Sequence, residues 1–275
     1  MKPLSKLLLA SALFLASAST ALAGDDFGIW SEVTLEKKVG KKVAFDLGID
    51  FRAEDHLKSA ARWGASLGVS YKPARWFKMS GGYAYLYDHS LQEAEAKLKD
   101  NGNLKGYNVD HGYWRSRHRF WVDLTGKVEV GRVTFSLRER YLYTLTPATT
   151  CRESKFREPA TGGYEGDVYT FNGQDFTKYS VEVDDKKRKH THYLRSRLTV
   201  DWNIRHCPVD PFVSYELCNN LSEGFALNKT RLSVGFDWSI AKPHKLSVAY
   251  IYQNGHDDDG DNDIHVLSLG YKFTF

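Results

Sequence analysis

Residues 43–52 read Val43-Ala44-Phe45-Asp46-Leu47-Gly48-Ile49-Asp50-Phe51-Arg52. Side chains alternate across an extended chain, so Val43, Phe45, Leu47, Ile49 and Phe51 share one face. Ala44, Asp46, Gly48, Asp50 and Arg52 share the other. The pattern recurs on both sides of this stretch. Residues 61–72 place Ala61, Trp63, Ala65, Leu67, Val69 and Tyr71 opposite Arg62, Gly64, Ser66, Gly68, Ser70 and Lys72. Residues 77–88 put Phe77, Met79, Gly81, Tyr83, Tyr85 and Tyr87 on the apolar side. No long segment keeps a helical period.

Further segments run about 113–128, 132–143, 191–203, 211–218, 229–240, 245–253 and 264–275, with a first at about 27–38. Short connections such as Val39-Gly40-Lys41 and Val130-Gly131-Arg132 alternate with longer ones. The longest are 89–111 and 144–190. This rhythm predicts an all-β chain: an antiparallel transmembrane β-barrel of about 10–12 strands, with short periplasmic turns and long external loops. A soluble barrel also alternates, but turns its apolar face inward. Here the polar face is rich in Gly and Ser, as a crowded lumen requires. Tyr83, Tyr85, Tyr87, Tyr141, Tyr143, Tyr250 and Tyr252 gather towards the long-loop rim, and Tyr71, Phe77, Trp202 and Trp238 towards the short-turn rim. Amphipathic rings favour the two membrane interfaces. Within 144–190, Asn172-Gly173 between two alternating runs predicts a hairpin over 168–183. Eleven wall segments conflict with the even counts of single-chain bacterial barrels, so ten or twelve are expected.

Composition agrees. The chain has 275 residues, 42% hydrophobic and 14% aromatic, with mean hydropathy -0.47, which argues against a polytopic helical membrane protein. Residues 1–23 read as a signal peptide: Lys2 and Lys6, an apolar run from Leu7 to Ala16, then Ala21-Leu22-Ala23. The barrel domain is then 24–275. Without the signal, 36 basic groups face 34 acidic ones, so no nucleic-acid partner is expected. The chain ends Leu267-x-Leu269-x-Tyr271-x-Phe273-x-Phe275, which resembles the strand read by the bacterial barrel-insertion machinery. The other expected partners are outer-membrane lipid and lipopolysaccharide; the run Lys186-Lys187-Arg188-Lys189 reads first as a solvated face, and as a cluster of point charges it also suits lipopolysaccharide phosphates.

Leu194-Arg195-x-Arg197-Leu198, Pro211-Phe212-Val213-Ser214-Tyr215-Glu216, Arg231-x-x-x-Gly235, Tyr250 and the closing His265-x-Leu267 strand resemble the bacterial outer-membrane barrels catalogued as domain of unknown function 2490. The resemblance covers most of the mature chain. It implies a fold and a bacterial outer-membrane location, and it transfers no catalytic residue.

Candidate functional residues follow from the inward face. Arg115, Arg117 and Arg119 share it on one segment, Arg138 and Arg140 on the next, Arg195 and Arg197 on the one after. Consecutive segments normally pair, so one guanidinium patch is expected. Glu32, Asp46, Asp50 and Glu54 come from the first two segments, across the barrel. Opposed charged walls select ions in a pore. The same residues, with Glu216, Asp123 and Asp237, can instead lock a closed interior, because small barrels fill with side chains. A porin-like or structural barrel is the leading reading.

A lipid-modifying enzyme is the alternative. Ser116-x-His118 is the weak nucleophile–base candidate and His192-x-x-x-Ser196 a looser one, with no acid evident on the same face. Asp88-His89 and His256-Asp257 are the pairs a barrel protease would use. A third reading is a surface-binding protein acting through its long loops. No cofactor is expected. Asp257, Asp259, Asp261 and Asp263 alternate like calcium ligands, but counting from Asp257 puts Asn262 and Ser268 where the helix–loop–helix site needs Gly and Glu. Cys207 and Cys218 sit at opposite ends of one segment, roughly eleven residues of about 3.3 Å apart. They cannot bridge, which leaves Cys151 and Cys218 as the expected disulfide.

Overall fold

The computed structural model describes residues 26–160, 164, 166–255 and 263–275. The proposed signal peptide lies outside them. The strands are β1 (Asp26–Val39), β2 (Val43–Glu54), β3 (Ser59–Ala74), β4 (Phe77–Ser90), β5 (Glu93–Leu98), β6 (Leu104–Asp110), β7 (Tyr113–Val130), β8 (Val133–Thr146), β9 (Thr149–Pro159), β10 (Tyr169–Phe171), β11 (Gln174–Lys186), β12 (Lys189–Trp202), β13 (Val209–Asn220), β14 (Ala226–Ala241), β15 (His244–Gly255) and β16 (Ile264–Thr274). A 3-10 turn, Leu221–Glu223, precedes β14.

Eleven of these close into a barrel in the order β1-β16-β15-β14-β13-β12-β8-β7-β4-β3-β2. All eleven expected segments are wall strands. The count is neither ten nor twelve, and the closing pair explains how. Eleven strands are joined by ten antiparallel steps, an even number of reversals, so the first and last strands run the same way. β1 pairs β16 in parallel from Asp26↔Ile264 to Glu36↔Thr274, and pairs β2 antiparallel on its other side. At the short-turn end the seam is pinned by Glu36, which accepts from Lys272 at 2.5 Å and Thr274 at 3.1 Å.

The wall faces outward with its apolar side. Phe45 is 51% exposed, Ile49 58% and Leu67 60%, while Ala44, Ser70, Ala84, Ser136 and Glu216 on the opposite face are buried. The small inward residues have a specific partner. Gly82 on β4 lies flush against the Trp121 ring from β7, where a Cβ would collide with the ring and with the Leu67 carbonyl. Gly68 on β3 borders the same ring. The indole thus lies across the wall because two strands carry no side chain there.

The chain divides into two compact units. Among the described residues, the first takes in those up to 86, 119–144 and those from 191 onward; the second takes in those within 87–118 and 145–190. The segments 89–111 and 144–190, expected as loops, are mostly strands. They form a five-stranded sheet in the order β10-β11-β9-β6-β5. The expected hairpin is β10–β11, with Asn172 and Gly173 at φ 50 and 74, the left-handed pair that a tight two-residue turn needs. Phe156 stacks on Phe171 at 4.9 Å, and Tyr107 meets Phe176 edge-on at 5.8 Å. Phe176 is fully buried. Arg157 donates to the carbonyls of Tyr107 and Phe156 at 2.8 and 2.9 Å, tying β6 to β9.

Candidate functional site

The site is the inward face of the barrel, and its centre is Glu216. β13 carries it between β12 and β14, opposite Arg197 on one side and Arg231 on the other. Its carboxylate accepts from Arg138 at 3.1 Å, from Arg195 Nε at 2.9 Å and from Arg231 at 3.2 Å. One carboxylate therefore stands among four guanidiniums, a local excess of three positive charges. The adjoining pair is neutral: Arg140 grips Asp123 at 2.5 and 2.6 Å, and Ser80 adds a hydrogen bond to the same acid at 3.3 Å. The Nε atoms of Arg138 and Arg197 are buried with no acceptor on the protein. Arg119 Nε reaches Thr144 at 3.2 Å.

Across the lumen the wall is not purely acidic. The Arg52 guanidinium lies 4.1 Å from the Trp30 ring centre, and Arg231 reaches the same ring at 5.2 Å. Trp30 also donates to Glu54 at 3.0 Å. Asp50 is 3.8 Å from Arg52, and Glu32, its register partner, accepts from Thr34 at 3.1 Å. Asp46 pairs in register with Glu36, close to the short-turn end. The four expected acids are thus spread along the barrel and mixed with arginine. This happens because Arg52 shares the inward face of the opening stretch, and Arg62 is its register partner on β3.

The remaining expected residues fall as follows. Arg115 and Arg117 belong to the second unit, where Arg115 donates to the Pro147 carbonyl at 3.4 Å and Arg117 pairs with Asp88 at 3.2 Å. Arg119, Arg138, Arg140, Arg195 and Arg197 belong to the first. Asp237 is paired by Lys245 at 2.7 Å rather than by an arginine. Ser116 and His118 are half-buried, two residues apart on one face of β7. An acid does share a face with Ser196, contrary to expectation: Ser196 donates to Glu139 at 2.6 Å, while His192 bonds Tyr141 at 2.7 Å. The carboxylate takes the hydroxyl directly, so these three form no hydroxyl–imidazole–carboxylate relay.

The expected Cys151–Cys218 disulfide is absent; Cys151, Cys207 and Cys218 are all free. The two buried thiols are enclosed by different units. Cys218 sits in register between Arg195 and Lys229, and Cys151 lies against Asp110 and Asp184. Burial holds the Cys151 thiol above its ordinary range. Asp110, Cys151 and Asp184 approach as metal ligands would, but Lys186 already bonds both carboxylates. Asp257, Asp259 and Asp261 lie outside the described residues, as does the His256-Asp257 pair. Asp263 accepts from Tyr252 and, at 2.5 Å, from Asn254. His89 packs against Trp114 in a tilted arrangement, with ring centres 4.9 Å apart.

The model of the family described as "Protein of unknown function (DUF2490)" matches residues 27–264. This chain belongs to that family. A search of curated proteins finds no match. In this DUF2490 protein the matched span runs from β1 to the start of β16, so it takes in Glu216 and every guanidinium around it. Two site residues lie beyond the expected inward set, and alternation carries the signal for both. Arg231 alternates inward with Ser233 and Gly235, and Trp30 with Gly28 and Glu32.

Proposed function

We propose that the protein is a bacterial outer-membrane barrel whose interior passes small anions in preference to cations. The observation that carries this reading is the Glu216 cluster. Three uncompensated guanidinium charges face the lumen, where low-dielectric walls weaken screening and attract counter-ions. The apolar outer face, the export signal read in 1–23 and the terminal strand ending at Phe275 support the location. On this reading the wall is surrounded by outer-membrane lipid and lipopolysaccharide, the strand ending at Phe275 is read by the insertion machinery, and the β5–β6 and β9–β11 segments lie outside the cell.

A second reading has its own support. Trp121 lies across the β3–β4 wall and Trp30 is held between two arginines, so the same ion pairs can serve as a lock on a filled interior. Planar-bilayer recording separates the two. Under a KCl gradient the anion reading requires a reversal potential displaced towards chloride, and Arg197→Gln should reduce that displacement. Zero conductance from folded protein would reject passage and leave the lock.

A further inference from the structure

Glu139 has no place in the barrel's charge pattern. On β8, Ser136, Arg138, Arg140, Leu142 and Thr144 alternate inward, so Glu139 faces outward with Phe135, Leu137, Tyr141 and Tyr143. It is the seventh residue of a fourteen-residue strand, hence near mid-wall. Among the described residues, alternation puts no other carboxylate on the outward face of a wall strand. The carboxyl is not left bare. Ser196, on the neighbouring strand β12, donates to Oε2 at 2.6 Å. Two residues further along β8, Tyr141 and His192 of β12 form a second polar bridge at 2.7 Å.

Hydrocarbon offers no hydrogen-bond partner, and an ionisable group facing it is costly and rarely retained without one. Ser196 uses its single hydroxyl proton on one oxygen of Glu139. The carboxyl's other oxygen has nothing in lipid to meet. A carboxyl beside a hydroxyl on one flat apolar wall is self-complementary. Under a two-fold axis along the membrane normal, lying between the two walls, Glu139 of one copy faces Ser196 of the other, and the reverse contact forms by symmetry. Leu137 and Leu198, both about half exposed, flank the pair and supply the packing that association in a bilayer requires.

We infer that the β8–β12 face is the interface of a homodimer, with Glu139 and Ser196 of each copy hydrogen-bonded across the axis. The inference rests on the membrane reading above. The occupant is a second copy of this chain, not lipid, because only a polar group placed at mid-wall matches the acid.

The test uses the full mature chain in dodecyl maltoside, by sedimentation velocity over a range of protein-to-detergent ratios. A parallel arm carries a photo-crosslinking side chain at position 198 in outer membranes. The wild-type chain should sediment as a dimer and crosslink to itself. Glu139→Leu should shift the dissociation constant roughly tenfold or more towards monomer, and Glu139→Gln, which keeps an acceptor for the Ser196 hydroxyl, should retain the dimer. Leucine suits a lipid face, so the variant folds, and a boiling-dependent shift on an SDS gel verifies it. A heat-modifiable wild type that stays monomeric overturns the dimer while leaving the membrane reading intact. A dimer untouched by Glu139→Leu overturns the interface. A chain soluble without detergent overturns both.

Discussion

Glu216 and Glu182 each accept from basic side chains on neighbouring strands, in two different settings. Glu216 sits inside the barrel at 3% side-chain exposure, with three arginines converging on it. Glu182 lies in the five-stranded sheet, half exposed, with Lys155 at 2.6 Å. The sheet also has a second means of support, the aromatic cluster around Phe156 and Phe176. The barrel interior has little apolar core and relies on paired charges; the sheet relies on buried rings and wears its charges on the surface. The same salt-bridge chemistry should therefore matter greatly in one unit and scarcely in the other.

The largest effect should come from Glu216→Ala. Removing it strands three guanidiniums in the interior, a change that costs about 3–5 kcal/mol for a buried pair. The temperature at which the folded band disappears from an SDS gel should fall sharply. A fall no larger than that of a surface variant would mean the cluster is solvated.

Phe176→Ala comes next. Loss of a fully buried ring costs about 3–5 kcal/mol, but here within the second unit. Limited proteolysis should cut within 145–190 faster, while the barrel keeps its folded mobility. Collapse of both together would show that the two units are not independent.

A smaller effect is expected from Lys186→Met. Although burial opposes its charge, hydrogen bonds from Lys186 to Asp110 and Asp184 hold its pKa above the ordinary 10.5, and Lys186 in turn holds Asp184 below its ordinary 3.8. A raised lysine contributes below its unfolded pKa and loses that contribution as pH rises through the folded value. A depressed aspartate contributes above its unfolded pKa and loses it as pH falls through the folded one. The parent should thus be more stable than the variant from about pH 5 to about pH 9, with the gap closing at both extremes. Melting curves of the two proteins across pH check this, and a gap confined to neutral pH would contradict it. Lys178→Ala, which removes the exposed pair with Glu158, should change none of these readouts measurably.

The contrast also explains what could be read from sequence. Wall strands announce themselves because one face must be apolar throughout, so all eleven were legible from alternation alone. Parallel closure was not, because the pairing of β1 with β16 leaves no local trace. In the five-stranded sheet, β5 reads Glu93-Ala94-Glu95-Ala96-Lys97-Leu98, an alternation only six residues long and carried mostly by alanine, and β9 is polar on both faces, so neither stands out as a strand. Only β10–β11 was visible, through Asn172-Gly173. Inward arginines were countable, but their partners depend on register. Glu216 became the hub because β13 places it directly between Arg197 and Arg231.

The central claim is that the apolar face of this barrel meets lipid and its charges meet each other inside. SDS-gel mobility of the purified chain, with and without boiling, tests it most directly. A closed sheet has no free edges, so the unboiled protein should resist SDS and migrate as a distinct compact band, and it should need detergent to stay in solution. Identical migration with and without boiling, from protein that remains soluble without detergent, would contradict the account.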